Sequence, residues 1–250
     1  GSAITVYATL KDPYGNPLSQ NVSFWAGISQ YPYETVLKET ITVTNGLALA
    51  PHLYNLYLDG ENDYVDTPLD ASGRSVFAFE IMFKMVDFVE GTPQRPIAEY
   101  NTFLVSIPKY STDKCWVGFR DSTDTLRTVG LAETPLDLLN KWIHVYAHFN
   151  VNEVTVYENG EFAGETTFPD STIFETAVEK KTKIGTDETY YFNGYIAFVR
   201  IYNRALSESE IKHNLFNWDN PVRDGLVLWL DGRQLTGRTW YDRSGNGNHG

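Results

Sequence analysis

The sequence predicts an all-β protein with one short helix near its C-terminus, and three observations carry that reading. Aromatic residues make up 14% of the chain, mostly 16 Tyr and 14 Phe, and such side chains fit the half-buried surface of a pleated sheet. Short runs that alternate apolar with polar residues recur along the chain, separated by clusters of Gly, Pro, Asn and Asp. Only one stretch combines helical spacing with capping residues. At 250 residues and 42% hydrophobic content, the chain can bury one large domain or a sandwich plus a small accessory module, and wholesale disorder is excluded.

Residues 1–50 read as a separate β-rich piece. Ile4 to Leu10 alternates, Asp12-Pro13-Tyr14-Gly15-Asn16-Pro17 is a dense turn signal, and Asn21 to Trp25 and Val36 to Val43 supply further strands before Asn45-Gly46. In the body, 51–218, Phe77 to Phe83 and Trp142 to Phe149 alternate. Val154 to Tyr157 runs into Asn159-Gly160, a two-residue hairpin signal, because both positions of such a turn need positive φ. Gly194 to Tyr202 is the last strand of the body. Ser207 then caps the helix, Glu210 completes a capping box, and Ile211, Leu215 and Trp218 recur on one face.

Four motifs carry a family resemblance. Leu58-Asp59-Gly60-Glu61-Asn62-Asp63-Tyr64-Val65 resembles the opening of laminin G-like (concanavalin A-like) jelly rolls. Trp142-Ile143-His144-Val145 and Val156-Tyr157-Glu158-Asn159-Gly160 resemble their central strand and hairpin, and Phe192 to Ser207 their closing strand and helix cap. The resemblance implies a two-sheet antiparallel jelly-roll sandwich over 51–218. The first 50 residues resemble part of an immunoglobulin-like surface repeat, too short for a complete one. Segment 219–250 resembles the first strand of a laminin G-like domain (Gly225 to Asp231) and the loop after it (Asp242 to Gly250), in the wrong place. Either it begins a second tandem copy or it docks on this sandwich as a permuted strand. A lone strand exposes unpaired amides and an apolar face, which favours docking beside Ile196 to Tyr202.

Charge and cysteine content narrow the partners. With 32 acidic against 20 basic residues the net charge is −12, so a nucleic-acid partner is disfavoured, and no run is apolar enough to insert in a membrane. Cys115 is alone, so no internal disulfide forms, and its strand-like context reads as a buried small hydrophobe. Gly1-Ser2 reads as the scar of a cleaved tag, which would remove any export signal. Asn21-Val22-Ser23 is a glycosylation sequon that matters only on export.

Candidate chemistry is sparse. Glu61, Asp63 and Asp66 superficially match the acidic strand of concanavalin A-like glycosidases, but alternation puts Asp66 on the opposite face from the other two, and a retaining pair needs one face. Asp242 to Asn248 places oxygen-bearing side chains at alternate positions like the start of a calcium loop, or else is a Gly/Asn turn. Calcium, if bound, is expected on Asp59, Asp63, Asp242 and Asn246. Where relatives carry an Asp ligand on the closing strand, this chain has Ala197. His144 and His148 share a face without a third ligand. Tyr31, Tyr33, Tyr190 and Tyr191 lie in polar, turn-rich stretches and are the candidates for stacking on sugar rings. The expectation is a non-catalytic recognition or adhesion module of a cell-surface or virion protein, extracellular, binding glycan or a surface protein. A structural spacer or coat module is the alternative and a glycoside hydrolase the second alternative.

Overall fold

The computed structural model describes residues 55–168, 173 and 180–250 in full, and four N-terminal strands by their backbone. The chain divides into two compact units, Gly1–Leu53 and Tyr54–Gly250. In the first, the strands are β1 (Ala8–Thr9), β2 (Gln20–Gly27), β3 (Thr35–Val43) and β4 (Leu47–Ala48). β1 pairs with β4 and β2 with β3, both antiparallel. Tyr31 and Tyr33 lie outside the described residues.

The second unit contains β5 (Leu56–Asp59), β6 (Val65–Asp66), β7 (Val76–Met85), β8 (Ile97–Glu99), β9 (Phe103–Ser106), β10 (Trp116–Arg120) and β11 (Leu126–Gly130). After the single turn α1 (Pro135–Leu138) come β12 (Trp142–Asn150), β13 (Glu153–Glu158), β14 (Glu161–Thr167), β15 (Lys183–Ile184) and β16 (Asn193–Tyr202). Helix α2 (Glu208–Phe216) leads to β17 (Leu226–Asp231), and β18 (Leu235–Thr236) pairs with β19 (Thr239–Trp240). The strands form two antiparallel sheets, one ordered β11-β10-β9-β8-β15-β6 and the other β14-β13-β12-β7-β16-β17. β5 also joins β16, end to end with β17 on the edge that β7 leaves free.

Alternation explains why these runs pack as they do. Phe77, Phe79, Ile81 and Phe83 of β7 face inward and meet Phe103, Val105, Val117 and Phe119 of the other sheet. Phe79 and Phe103 stack at 5.1 Å, and Phe103 and Phe119 at 5.6 Å. Each fully buried ring of this kind contributes about 1.5–3 kcal/mol of transfer free energy. The hairpin β13–β14 turns at Asn159 and Gly160, at φ 52° and 81°. Cys115 is buried in the same core, and burial pushes its thiol up to about 12, which keeps it inert at neutral pH.

The centre of the outer face of the seven-stranded sheet is covered. Ser207 accepts from the Glu210 backbone while the Glu210 carboxylate takes the Ser207 N–H, so α2 starts where the capping box predicts. Its Ile211 packs with Leu206 on Ala78, Tyr146, Tyr202 and Trp229. Beside them lies a fully buried polar network. Glu80 Oε2 accepts from Arg200 Nη1 and from Asn214 Nδ2, both at 3.0 Å, and Glu80 Oε1 lies 2.8 Å from His144 Nε2. Arg200 also donates to the Trp218 carbonyl. Burial alone would raise the Glu80 carboxyl; Arg200 and His144 outweigh it and hold the group below its usual range. Four elements are thus tied to one carboxylate.

β17 occupies the remaining edge of β16, with Leu230 opposite Val199 and Leu228 opposite Ile201. Its own outer edge is closed by the loop that follows. Asp242 Oδ1 accepts from the Trp229 N–H, the Arg243 N–H donates to the Trp229 carbonyl, and Asn246 and Asn248 side chains donate to the Leu226 and Val227 carbonyls. An edge strand that would otherwise present unpaired groups is sealed within the unit.

Candidate functional site

Among the described residues of the second unit, the outer face of the six-stranded sheet carries partly exposed side chains around β10. Val117 and Phe119 point into the core, so Trp116, Gly118 and Arg120 of β10 point away from it. Register places Gly118 beside Leu104 of β9 and Thr128 of β11, and Trp116 beside Ser106. The Trp116 indole folds down over Gly118: a Cβ built there would lie 2.8 Å from Trp116 Cζ3 and 3.0 Å from Leu126 Cδ1. The six-membered ring of the partly exposed indole therefore sits over Gly118, beside Leu126.

Beyond Ser106 the surface continues through an ion pair. Arg95 Nε donates to Asp187 Oδ2 and its Nη1 to Ser106 Oγ, both at 2.9 Å. The Tyr190 ring lies 5.3 Å from the same guanidinium, a cation–π distance. Asp187 fixes that ring as well, since its Oδ1 accepts the Thr189 and Tyr190 N–H groups and so folds the turn. Tyr190, Arg95, Ser106 and Trp116 thus follow one another across the outer face. On its other side Lys183 pairs with Asp66 and lies 4.7 Å from the Tyr64 ring, and Lys180 lies 4.7 Å from the Tyr100 ring.

The sequence candidates fall in different places. Tyr190 belongs to this face and is about a third exposed. Tyr191 bridges Thr186 and is half-buried. Glu61 and Asp63 do not lie on a strand, as alternation assumed: both are exposed in the connection where the chain crosses from β5 in one sheet to β6 in the other. Asp66 is on β6, held by Lys183. The proposed calcium ligands are not brought together either. Asp59 sits opposite Asn193 at one end of β16, whereas Asp242 binds Trp229, which is opposite Arg200, seven residues further along. That separates them by roughly 20 Å of extended chain. Asp59 accepts from the Glu61 N–H, and Asn246 donates its amide to carbonyls of β17. Among the described residues no three His, Cys, Asp or Glu side chains gather as a metal would require. Ala197 is the extra residue of a bulge between Ile196 and Phe198, fully buried.

Trp116, Gly118 and Arg95 escape a reading based on turn-rich stretches. The usable signal was the alternation Trp116-Val117-Gly118-Phe119-Arg120, which puts one large ring, one glycine and one cation on the face opposite the core.

No curated protein matches this chain. Among solved structures it is similar to a Bacteroides ovatus protein described as carbohydrate-binding, at 19% identity and a TM-score of 0.60, covering 78% of this chain. This chain spans 58% of the length of that structure. It is also similar to a SAP-like pentraxin of Limulus polyphemus (12% identity, TM-score 0.51, covering 64% of this chain and 81% of that one). A third is the ligand-binding domain of botulinum neurotoxin serotype D in complex with N-acetylneuraminic acid (14% identity, TM-score 0.52, covering 66% of this chain and 42% of that one). At such identities these likenesses establish the jelly-roll fold. A laminin G family model described as the concanavalin A-like lectin/glucanases superfamily matches residues 58–212, more than half of the sequence, and the chain belongs to that superfamily.

Proposed function

We propose that the chain is a non-catalytic carbohydrate-recognition module that binds its ligand on the outer face of the six-stranded sheet. The observation that carries this reading is the partly exposed Trp116 ring seated over Gly118 beside Leu126, on the outward face of β10. An aromatic plate offers the C–H face of a sugar a contact that water cannot match, and flanking polar groups orient it. The carbohydrate-binding description of the similar Bacteroides ovatus protein, and the sugar in the toxin-domain complex, support the same reading. The exposed positions of Glu61 and Asp63 and the ion pair of Asp66 support the absence of catalysis. An extracellular setting, on a cell or virion surface, follows from such a role.

A glycan array probed with the whole chain tests it. The expected result is binding to a defined set of saccharides, lost in Trp116→Ala while the melting temperature stays within a few degrees. An array without signal at high protein concentration would leave the spacer or coat module as the better reading.

A further inference from the structure

We infer that the ligand of this face is a neutral glycan, one hexopyranose of which stacks on Trp116, and that Gly118 is the positioning residue that seats the indole over the strand. The inference rests on the carbohydrate reading above and adds the ligand class and the residue that sets the platform.

Gly118 needs an explanation of its own. It lies in the interior of β10, with partners on both sides, where glycine weakens a strand. Its backbone is not in the left-handed region that favours glycine. What the position requires is the absence of a side chain: a Cβ would meet Trp116 Cζ3 at 2.8 Å, Leu126 Cδ1 at 3.0 Å and Thr128 Cγ2 at 3.3 Å. A residue with a Cβ must displace the indole from its seat over the strand.

Charge selects the class of sugar. Four cations line the face, Arg95, Arg120, Lys180 and Lys183, and each is held by a carboxylate: Asp187 for Arg95, Asp124 for Arg120, Glu188 for Lys180, Asp66 for Lys183. The face is compensated, four positive against four negative, on a chain whose net charge is −12. A polyanion entering it meets the repulsion of the whole molecule and must displace a carboxylate to reach a cation. A neutral sugar does neither. A hydroxyl can accept from an ammonium and donate to a carboxylate at once, so an exposed pair such as Lys180–Glu188 suits a polyol. The indole face, negative by its quadrupole, attracts the C–H face of a pyranose and offers nothing to an acid group.

The test titrates the full chain with neutral gluco-, galacto- and manno-oligosaccharides and, in parallel, with sialyllactose and heparin fragments. Affinity is followed by calorimetry and tryptophan fluorescence at low and high salt. The expected result is binding of a neutral oligosaccharide, unchanged by salt, weakened about tenfold or more in Trp116→Ala and in Gly118→Val. Trp116→Phe, which keeps a ring, should retain part of what Trp116→Ala loses. Gly118→Ala guards against a misfolded Gly118→Val, and should weaken binding while the melting temperature holds. Binding of the anionic sugars alone, falling with salt, would overturn the ligand class and leave carbohydrate recognition standing. Full affinity in a folded Gly118→Ala would overturn the role of Gly118. If no saccharide of either kind binds, the carbohydrate reading itself fails.

Discussion

The centre of the seven-stranded sheet's outer face and the strip around Trp116 on the other sheet have opposite fates, and the contrast separates architecture from recognition. At the centre of the seven-stranded sheet the large outward side chains, Tyr146, Arg200, Tyr202 and Trp229, are fully buried under α2 and the segment that follows it, while Tyr57 and Phe162 at its margins stay exposed. Arg243 and Arg223 lie 3.9 and 4.5 Å from the Trp229 ring, so even cations serve there as packing. On the six-stranded sheet Trp116, Leu104 and Arg120 keep partial access to water, although Ser106 and Ala98 on the same face are buried. The covered centre uses its aromatic rings to hold the chain together. The strip on the other sheet leaves Trp116 and Tyr190 partly exposed. Burial, more than residue type, tells the two populations apart.

Deleting residues 221–250 should break the contrast most severely. It removes Leu228, Trp229 and Leu230 from two packed clusters and exposes the edge of β16. It also leaves Asn214 Oδ1 without the Val222 N–H that it accepts. The expected outcome is aggregation, or a melting temperature lower by more than about 10 °C. A truncated chain that melts where the full chain does would mean that β17 adds nothing to this sandwich. Glu80→Ala comes next. It strands a buried guanidinium, so unfolding in denaturant should show a loss of about 3–5 kcal/mol. A loss below about 1 kcal/mol would show that apolar packing alone holds the cover.

How far this was legible depends on what kind of rule fixed each part. Strands such as β7 and β12, the Asn159-Gly160 turn and the capped helix follow from periodicity, positive φ and capping, which are local and visible in the sequence. The neighbour expected for Leu226 to Leu230 is the one observed, because a strand apolar on both faces has few places to go. Side-chain partnerships were not legible. The Glu80 network joins residues 80, 144, 200 and 214, and the Trp116 platform depends on a register with β9 and β11 that no local pattern reveals. Glu61 and Asp63 misled for the same reason: alternation was applied across a crossing between sheets.

A smaller effect separates the two sheets by pH. Glu99 on β8 is buried; its Oε2 accepts from the Ala71 N–H and the Thr182 hydroxyl. Burial raises its carboxyl to about 7, from an ordinary value of 4.5. Between those values the folded chain holds a proton that the unfolded chain has released, so stability falls as pH rises from about 4.5 to 7. The loss at the top of that window is at most about 3 kcal/mol. Glu99→Gln should remove that slope and leave the contribution of Glu80 untouched, because the Glu80 carboxyl is shifted the other way. Stability measured at pH 5 and pH 7.5 in both proteins decides it; an unchanged slope in the variant would assign the pH dependence elsewhere.

The smallest effect is expected from calcium, and it bears on whether the 242–248 loop belongs with the architectural side of the molecule or with its ligands. Asp242 is the one carboxylate of that loop, and its lone pairs are already engaged. Oδ1 accepts from the Trp229 N–H at 2.9 Å and the Ser244 N–H at 2.8 Å, and Oδ2 from the Ser244 hydroxyl at 2.7 Å and the Asn248 N–H at 3.0 Å. A carboxylate offers about four such positions, so a metal ion would have to displace bonds that close the edge of β17. A cation bound to the native state alone raises stability by RT ln(1 + [L]/Kd), which is several degrees at a hundredfold excess over Kd. The expected outcome is the same melting temperature in millimolar calcium and in chelator. Asp242→Asn, which turns one acceptor oxygen into a donor facing the Ser244 hydroxyl and the Asn248 N–H, should by contrast cost about 1–3 kcal/mol in both buffers. A melting temperature that rises with calcium in the native chain and not in Asp242→Asn would move this loop to the ligand-binding side of the comparison.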